Sequence, residues 1–588
     1  MKRIFKICTI AFLGAGLPGV LAAQSIALRT FRAVAGESRV ADAHDGVPAM
    51  TAITSAETTP PLEFPIRVEV VTKSEAPVLK LVIPPGTPAG NYTIDIEGRD
   101  REGQKTTTTL RLTVDAVTFS RPVAERPPVI LLNGFQLSCS DTASTVAASA
   151  DTFDQLASLL QADGLSVSFF NTCTYGNTVS IEQLAAQLNN YIAGLQYTDG
   201  TPVAQVDLVA HSMGGLIVRA YLSGKQATAG VFSPPAKLKI RKVIFLATPH
   251  FGSYQANNPL VASLFPSGTQ LSEMKPGSQF LWDLATWNQG GDDLRGVDAL
   301  SVIGNDGKIT GSSNLSDGVV SLTSASLRFA QPDMRTRIVP YCHVQTNSGS
   351  AIETTEAVYL QCSGPGIAHI DTTAHQSYVA ISSFLANTTG WQAVGHPPSQ
   401  DDSLDQHGGL FVAVQDAQGE YLDDVTSVEV NGAALTPGPS NPVTSVYYDD
   451  WLPTGSYSVS TVSTSDGDLT ETEVSNAGGY HAVILKAGPQ ILNVHSRLGT
   501  GLRGRTVANG SKVTITGTGF SDGTSLQANG VALSINVVSD KEITTVLPSS
   551  LSGLVALTVS NNNGKDVINV MVAAPSPIGY PNPHAHER

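Results

Sequence analysis

Between residues 57 and 118 apolar and polar positions alternate with period two. Ile66–Val71, Val78–Ile83, Gly90–Gly98 and Thr107–Val114 are four such runs, separated by Gly, Pro and polar turns. That pattern predicts half-buried strands and a small immunoglobulin-like β-sandwich. Residues 24–56, small and polar with little periodicity, read as a linker or irregular arm. From about residue 125 the rhythm changes. Pro128–Leu132, Leu165–Phe170, Val206–Ala210, Lys242–Ala247, Ala299–Ile303 and Arg337–Tyr341 are short, nearly continuous apolar runs. Helical patterns lie between them, among them Ile181–Leu195 with Leu184, Leu188 and Ile192 at four-residue spacing, and a last helix covers about Thr373–Leu385. Continuous apolar strands alternating with helices predict an α/β fold, a doubly wound, mostly parallel sheet over 125–392. After Trp391 the helical pattern ends. Residues 405–488 and 489–575 read as two further β-sandwiches, and 576–588 as a Pro- and His-containing tail.

Composition narrows the classes. The 588 residues exceed one domain, 41% are hydrophobic, and only 14% are charged against about 25% in average soluble chains. A disordered acidic chain is excluded. The formal net charge of −15 argues against nucleic acid as a partner. Lys2, Arg3 and Lys6 precede an apolar stretch from Ile7 to about Leu21, with Ala22 and Ala23 after it. This reads as a cleaved export signal over 1–23, too short to span a bilayer, and no other segment is apolar enough to be transmembrane. The expected location is secreted or periplasmic. Beyond Cys8 the chain has Cys139, Cys173, Cys342 and Cys362. An even count in an exported chain favours disulfides, and of three pairings the local one joins 139 to 173 and 342 to 362. No CxxC or HExxH spacing suggests a metal, and no cofactor is expected.

The candidate chemistry centres on Val209-Ala-His-Ser212-Met-Gly214-Gly. It follows an apolar strand and opens a helix, the setting of a nucleophile elbow, in which a sharp turn lifts the Ser hydroxyl above the sheet. Small residues are needed two before and two after the Ser, and Ala210 and Gly214 meet this. The stretch from Ala210 to Leu222 resembles the α/β-hydrolase lipases, and the groups it is most similar to are bacterial triacylglycerol lipases and PGAP1-like proteins. Leu131-Leu-Asn133-Gly134-Phe135 resembles their oxyanion loop, with Asn where His is usual. Phe245-Leu-Ala-Thr-Pro-His-Phe-Gly-Ser253 and Ser316-Asp317-Gly-Val-Val-Ser321 resemble two further landmarks of the same family, the second its acid loop. The run Val513–Phe520, with Asn529-Gly, Val546-Leu-Pro and Leu557–Asn561, resembles the IPT/TIG immunoglobulin-like family.

The resemblance implies Ser212 as nucleophile, Asp317 as the acid with Asp306 as the alternative, and the backbone N–H groups of Phe135 and Met213 as an oxyanion hole. The base must be a His late in the chain. His369 has the family-like spacing to the final helix and is preferred over His375 and His343. An apolar insertion at 253–298, with Phe265, Phe280, Trp282 and Trp287, reads as a lid over an acyl pocket or as a helical subdomain packed on the sheet. The expected substrate is a lipid or other carboxylic ester. A phospholipase or acyltransferase would use the same groups. The rival from another class is a non-catalytic adhesion scaffold whose sandwiches contact cell surface or glycan.

Overall fold

The computed structural model describes residues 30–573, apart from 43–46, 74–75, 122–125, 137–144, 258–267, 289–292, 309–314, 328–334, 346–361, 363, 398–405, 416–420, 422–426, 440–443, 462–469, 476–479, 487–488, 497–505, 522 and 562–563. The expected export signal, Cys139 and the tail lie outside these residues. Among the described residues no helix is long and apolar enough to cross a membrane.

The α/β domain is built on six parallel strands: β1 (Val129–Leu132), β2 (Val167–Phe170), β3 (Val206–His211), β4 (Ile240–Leu246), β5 (Asp298–Gly304) and β6 (Thr336–Val339). Their spatial order is β2-β1-β3-β4-β5-β6. Every residue of β1, β2 and β3 is buried, as strands covered by helices on both faces require. One apolar cluster gathers Ile130, Leu132, Leu208 and Ala210 with the helix Ile181–Gly194; the other gathers Val129, Leu131 and Val209 with the helix Gln376–Leu385. Odd and even positions of one strand therefore serve opposite layers. Strand order reverses at β1, which lies between β2 and β3. In sheets of this kind the crevice beyond the carboxyl ends of the strands at such a reversal is where ligands bind.

The flanking modules are immunoglobulin-like sandwiches. In the N-terminal one, sheets of four and three strands enclose Phe31, Leu79, Leu81, Ile94, Ile96 and Leu112. Here the expectation of a linker at 24–56 is corrected. Thr30–Val34 pairs in parallel with Lys105–Asp115, and Ala52–Thr59 pairs antiparallel with Gly90–Arg99. Ala52–Thr59 carries only one large apolar side chain and has no buried residue, so its strand character comes from the backbone ladder rather than from a hydrophobic pattern.

The described part of the insertion after Ser253 packs on the sheet. Its described helices, Thr269–Glu273 and Gln279–Thr286, bury Leu271, Phe280, Leu281, Trp282 and Leu284 in the core shared with the sheet. These helices pack as a subdomain, and residues 258–267 lie outside the described set.

Candidate active site

Ser212 follows β3 and caps the helix Met213–Ser223. Its φ of 52° is one that L-residues other than Gly seldom adopt. The strain is held by neighbours: the Ser212 N–H donates to the Leu246 carbonyl at 2.9 Å, and the Gly215 N–H donates to the Ser212 carbonyl at 3.0 Å. A Cβ on Gly214 would sit 2.9 Å from the carbonyl oxygens of Leu132 and Asn133. The small residue two after the Ser is thus needed where the elbow presses on the end of β1.

The imidazole beside Ser212 belongs to His343, not to His369. His343 Nε2 lies 2.9 Å from Ser212 Oγ, and His343 Nδ1 lies 2.7 Å from Asp317 Oδ2. The other Asp317 oxygen, Oδ1, accepts the N–H groups of Val319 at 2.9 Å and Val320 at 2.8 Å. The Asp317 carbonyl accepts the His343 N–H at 2.9 Å. All three side chains are buried or nearly so, with Ser212 the most open at 7%. A base held by an acid on one nitrogen and facing a hydroxyl on the other is the arrangement that activates a weak nucleophile.

Residues 124–319 match the PGAP1-like alpha/beta domain. Residues 503–572 match the IPT/TIG domain. Among solved structures, the phospholipase PlaB of Legionella pneumophila, in complex with thio-NAD, is 15% identical over 64% of this chain and 97% of its own, with a TM-score of 0.38. Esterase 2 of Thermogutta terrifontis, phosphoramylated by tabun, is 10% identical over 57% of this chain and 98% of its own, with a TM-score of 0.26. The glycan-binding SGBP-B of Bacteroides ovatus is 17% identical over 26% of this chain and 40% of its own, with a TM-score of 0.14. No curated protein matches the chain.

His343 is held from two directions. Cys342 is joined to Cys362, and the Cys342 backbone exchanges hydrogen bonds with Pro365 and Ile367 at 2.8 Å each. From the nucleophile side, His211 Nε2 lies 3.1 Å from the His343 carbonyl. A carbonyl only accepts, so that nitrogen carries the proton. Burial pushes the His211 pKa well below the ordinary histidine value, with the adjacent His343 adding to the shift. His211 is therefore a neutral donor clamped on the backbone of its neighbour.

The other expected residues fall elsewhere. His369, half-buried, has its Nε2 3.5 Å from Asp154, just beyond the helix Thr145–Phe153. The Gly366–Ile370 segment is tied by bridges to Cys342 and Asp154. His375 is the N-cap of Gln376–Leu385, its Nδ1 accepting the Ser377 N–H at 3.3 Å, and its ring lies 4.4 Å from that of Tyr341. Asp306 is exposed beside the disulfide. It and the sulfurs of Cys342 and Cys362 are mutually close, but disulfide sulfurs offer no thiolate to a metal. Cys173 is disulfide-bonded, and its expected partner Cys139 lies outside the described residues.

On the opposite side of Ser212, the loop after β1 comes into direct contact with it. A Cβ on Gly134 would meet Ser212 Cβ at 2.6 Å, so Gly is required for that approach. Asn133 secures the loop, since its Oδ1 accepts the Thr172 N–H at 2.9 Å. Phe135 follows directly and packs on the main core. Met213 is the first residue of the helix after Ser212, where backbone N–H groups have no intrahelical acceptor.

Proposed function

We propose that the chain is an exported serine hydrolase acting on carboxylic esters, with acyl lipids as the expected substrate class. The observation that carries this reading is the continuous hydrogen-bonded set Ser212–His343–Asp317 at the strand-order reversal of the sheet. In the proposed cycle His343 takes the Ser212 proton as Oγ attacks the ester carbonyl. Asp317 orients the imidazole and stabilises the imidazolium. The N–H groups of Phe135 and Met213 hold the developing oxyanion, aided by the positive end of the helix dipole. His343 then protonates the leaving alcohol oxygen. Water, deprotonated by the same imidazole, releases the acid from the acyl-enzyme and restores Ser212. None of these steps calls for a cofactor. Export is supported by the residue pattern of 1–23 and by disulfide-bonded Cys173, Cys342 and Cys362.

The test is hydrolysis of p-nitrophenyl esters across acyl lengths by the wild type and by Ser212→Ala. Turnover that the substitution abolishes supports the reading, and the length profile separates a lipase from a short-chain esterase. A folded wild type that neither hydrolyses any ester nor is labelled by a fluorophosphonate would leave a binding scaffold as the better account.

A further inference from the structure

We propose that Asp450, on the sandwich that follows the catalytic domain, is a positioning residue for the Ser212–His343–Asp317 set, so that residues 405–488 form part of the catalytic unit. The proposal rests on the hydrolase reading above. Asp450 lies on the strand Val446–Pro453, from which Val446 and Tyr448 also enter the catalytic core. Its side chain is 2% exposed. Both carboxylate oxygens are occupied from the catalytic half: Oδ2 accepts the Ser321 hydroxyl at 2.6 Å and Oδ1 accepts the Tyr254 hydroxyl at 2.7 Å. The Asp450 carbonyl accepts the Thr323 hydroxyl at 2.7 Å.

These partners belong to the loop that presents Asp317. Ser321 pairs back to Ser316 and caps the short helix Leu322–Ala325. Between them, Val319 and Val320 supply the two N–H groups that hold Asp317 Oδ1. The residues flanking Tyr254 grip the same loop: the Ser253 hydroxyl donates to the Val319 carbonyl at 2.7 Å, and Gln255 Nε2 donates to the Gly318 carbonyl at 3.2 Å. One end of the acid loop therefore meets His343, and the other end is fixed by a carboxylate from another module. A buried carboxylate is costly unless its hydrogen bonds are made. Removing it frees Ser321 and Tyr254 together and lets Asp317 drift from His343 Nδ1. A shift of about 1 Å in such a set can cost about 100-fold in rate.

The experiment uses the full chain with Asp450→Ala, Asp450→Asn and Ser321→Ala. It measures kcat and KM on p-nitrophenyl butyrate per site titrated by a fluorophosphonate, so that misfolded protein is not counted. The expected result is a fall in kcat of about 10- to 100-fold for Asp450→Ala with KM within about twofold. Asp450→Asn keeps an acceptor and restores most of the loss. Ser321→Ala, which leaves the sandwich residue in place, lowers kcat by a smaller factor and gives the decisive reading should Asp450→Ala not fold. Wild-type kcat per titrated site in Asp450→Ala, or in Ser321→Ala where Asp450→Ala does not fold, would overturn the proposal. A loss for Asp450→Ala that Asp450→Asn fails to restore would likewise overturn it. A wild type that is neither active nor labelled would instead overturn the hydrolase reading, and the proposal with it.

Discussion

The two C-terminal sandwiches use their apolar residues differently. In the strand His407–Gln415, Leu410, Val412 and Val414 enter the module's own core, whereas Phe411 and Ala413 enter the core of the catalytic domain. Phe411 stacks on Phe251, ring centroids 3.8 Å apart and planes within 3°, and Trp282 Nε1 donates to the Tyr421 hydroxyl at 3.1 Å. The last sandwich keeps one core, drawn from residues 491–572 alone, and leaves Leu554 and Met571 exposed, at 65% and 45%, as cross-strand neighbours. One module is buried on both faces of a strand and shares its core. The other is self-contained. Similar folds in one chain can thus share the core of a neighbouring domain or keep their own.

Truncation should separate the two modules most strongly. A chain ended at residue 488 should keep kcat within about twofold, since the core of the last sandwich is its own. A chain ended at 392 would uncover Phe251, Tyr254 and Trp282 and should lose soluble, active protein. Equal activity of the two truncations would break the comparison. Next in size is a pair of core substitutions followed by denaturant unfolding. Phe411→Ala should cost about 3–5 kcal/mol in the transition that abolishes ester hydrolysis, while Leu557→Ala should shift a transition that leaves hydrolysis intact.

The pH dependence is smaller and has a definite sign. Burial pushes the Asp450 carboxyl up to about 6 from 3.8, against the lowering effect of Ser321 and Tyr254. A raised folded value means that the folded protein binds the proton more tightly. The contribution to stability is complete below about pH 4 and is lost as pH rises through about 6, by about 3 kcal/mol in all. Asp450→Asn should remove this slope from unfolding measured between pH 4 and 8. An unchanged slope would mean that Asp450 is not the group titrating there.

The sheet was legible because its strands are short apolar runs bounded by turns, and Ser212 because an elbow is a local feature that fits within five residues. The double role of Phe411 was only half legible: Leu410–Val414 is unbroken by a polar residue, which signals burial on both faces but not what covers the second. Chain spacing to the final helix points to His369 rather than His343, because spacing along the chain carries no sign of the Cys342–Cys362 link and the Cys342–Gly366 bridge that bring these segments together. The better signal was position: His343 stands four residues beyond the carboxyl end of β6, where site residues of such sheets gather. Asp450 had no local signal at all, since its partners lie more than 120 residues away.

The proposed role of His343 as base to Ser212 is tested by comparing His343→Ala with His369→Ala in ester hydrolysis, with folding checked by circular dichroism. His343→Ala should lower kcat by about 10⁴-fold or more, and His369→Ala by less than about threefold. Retained turnover in a folded His343→Ala, with activity lost in His369→Ala, would contradict the account.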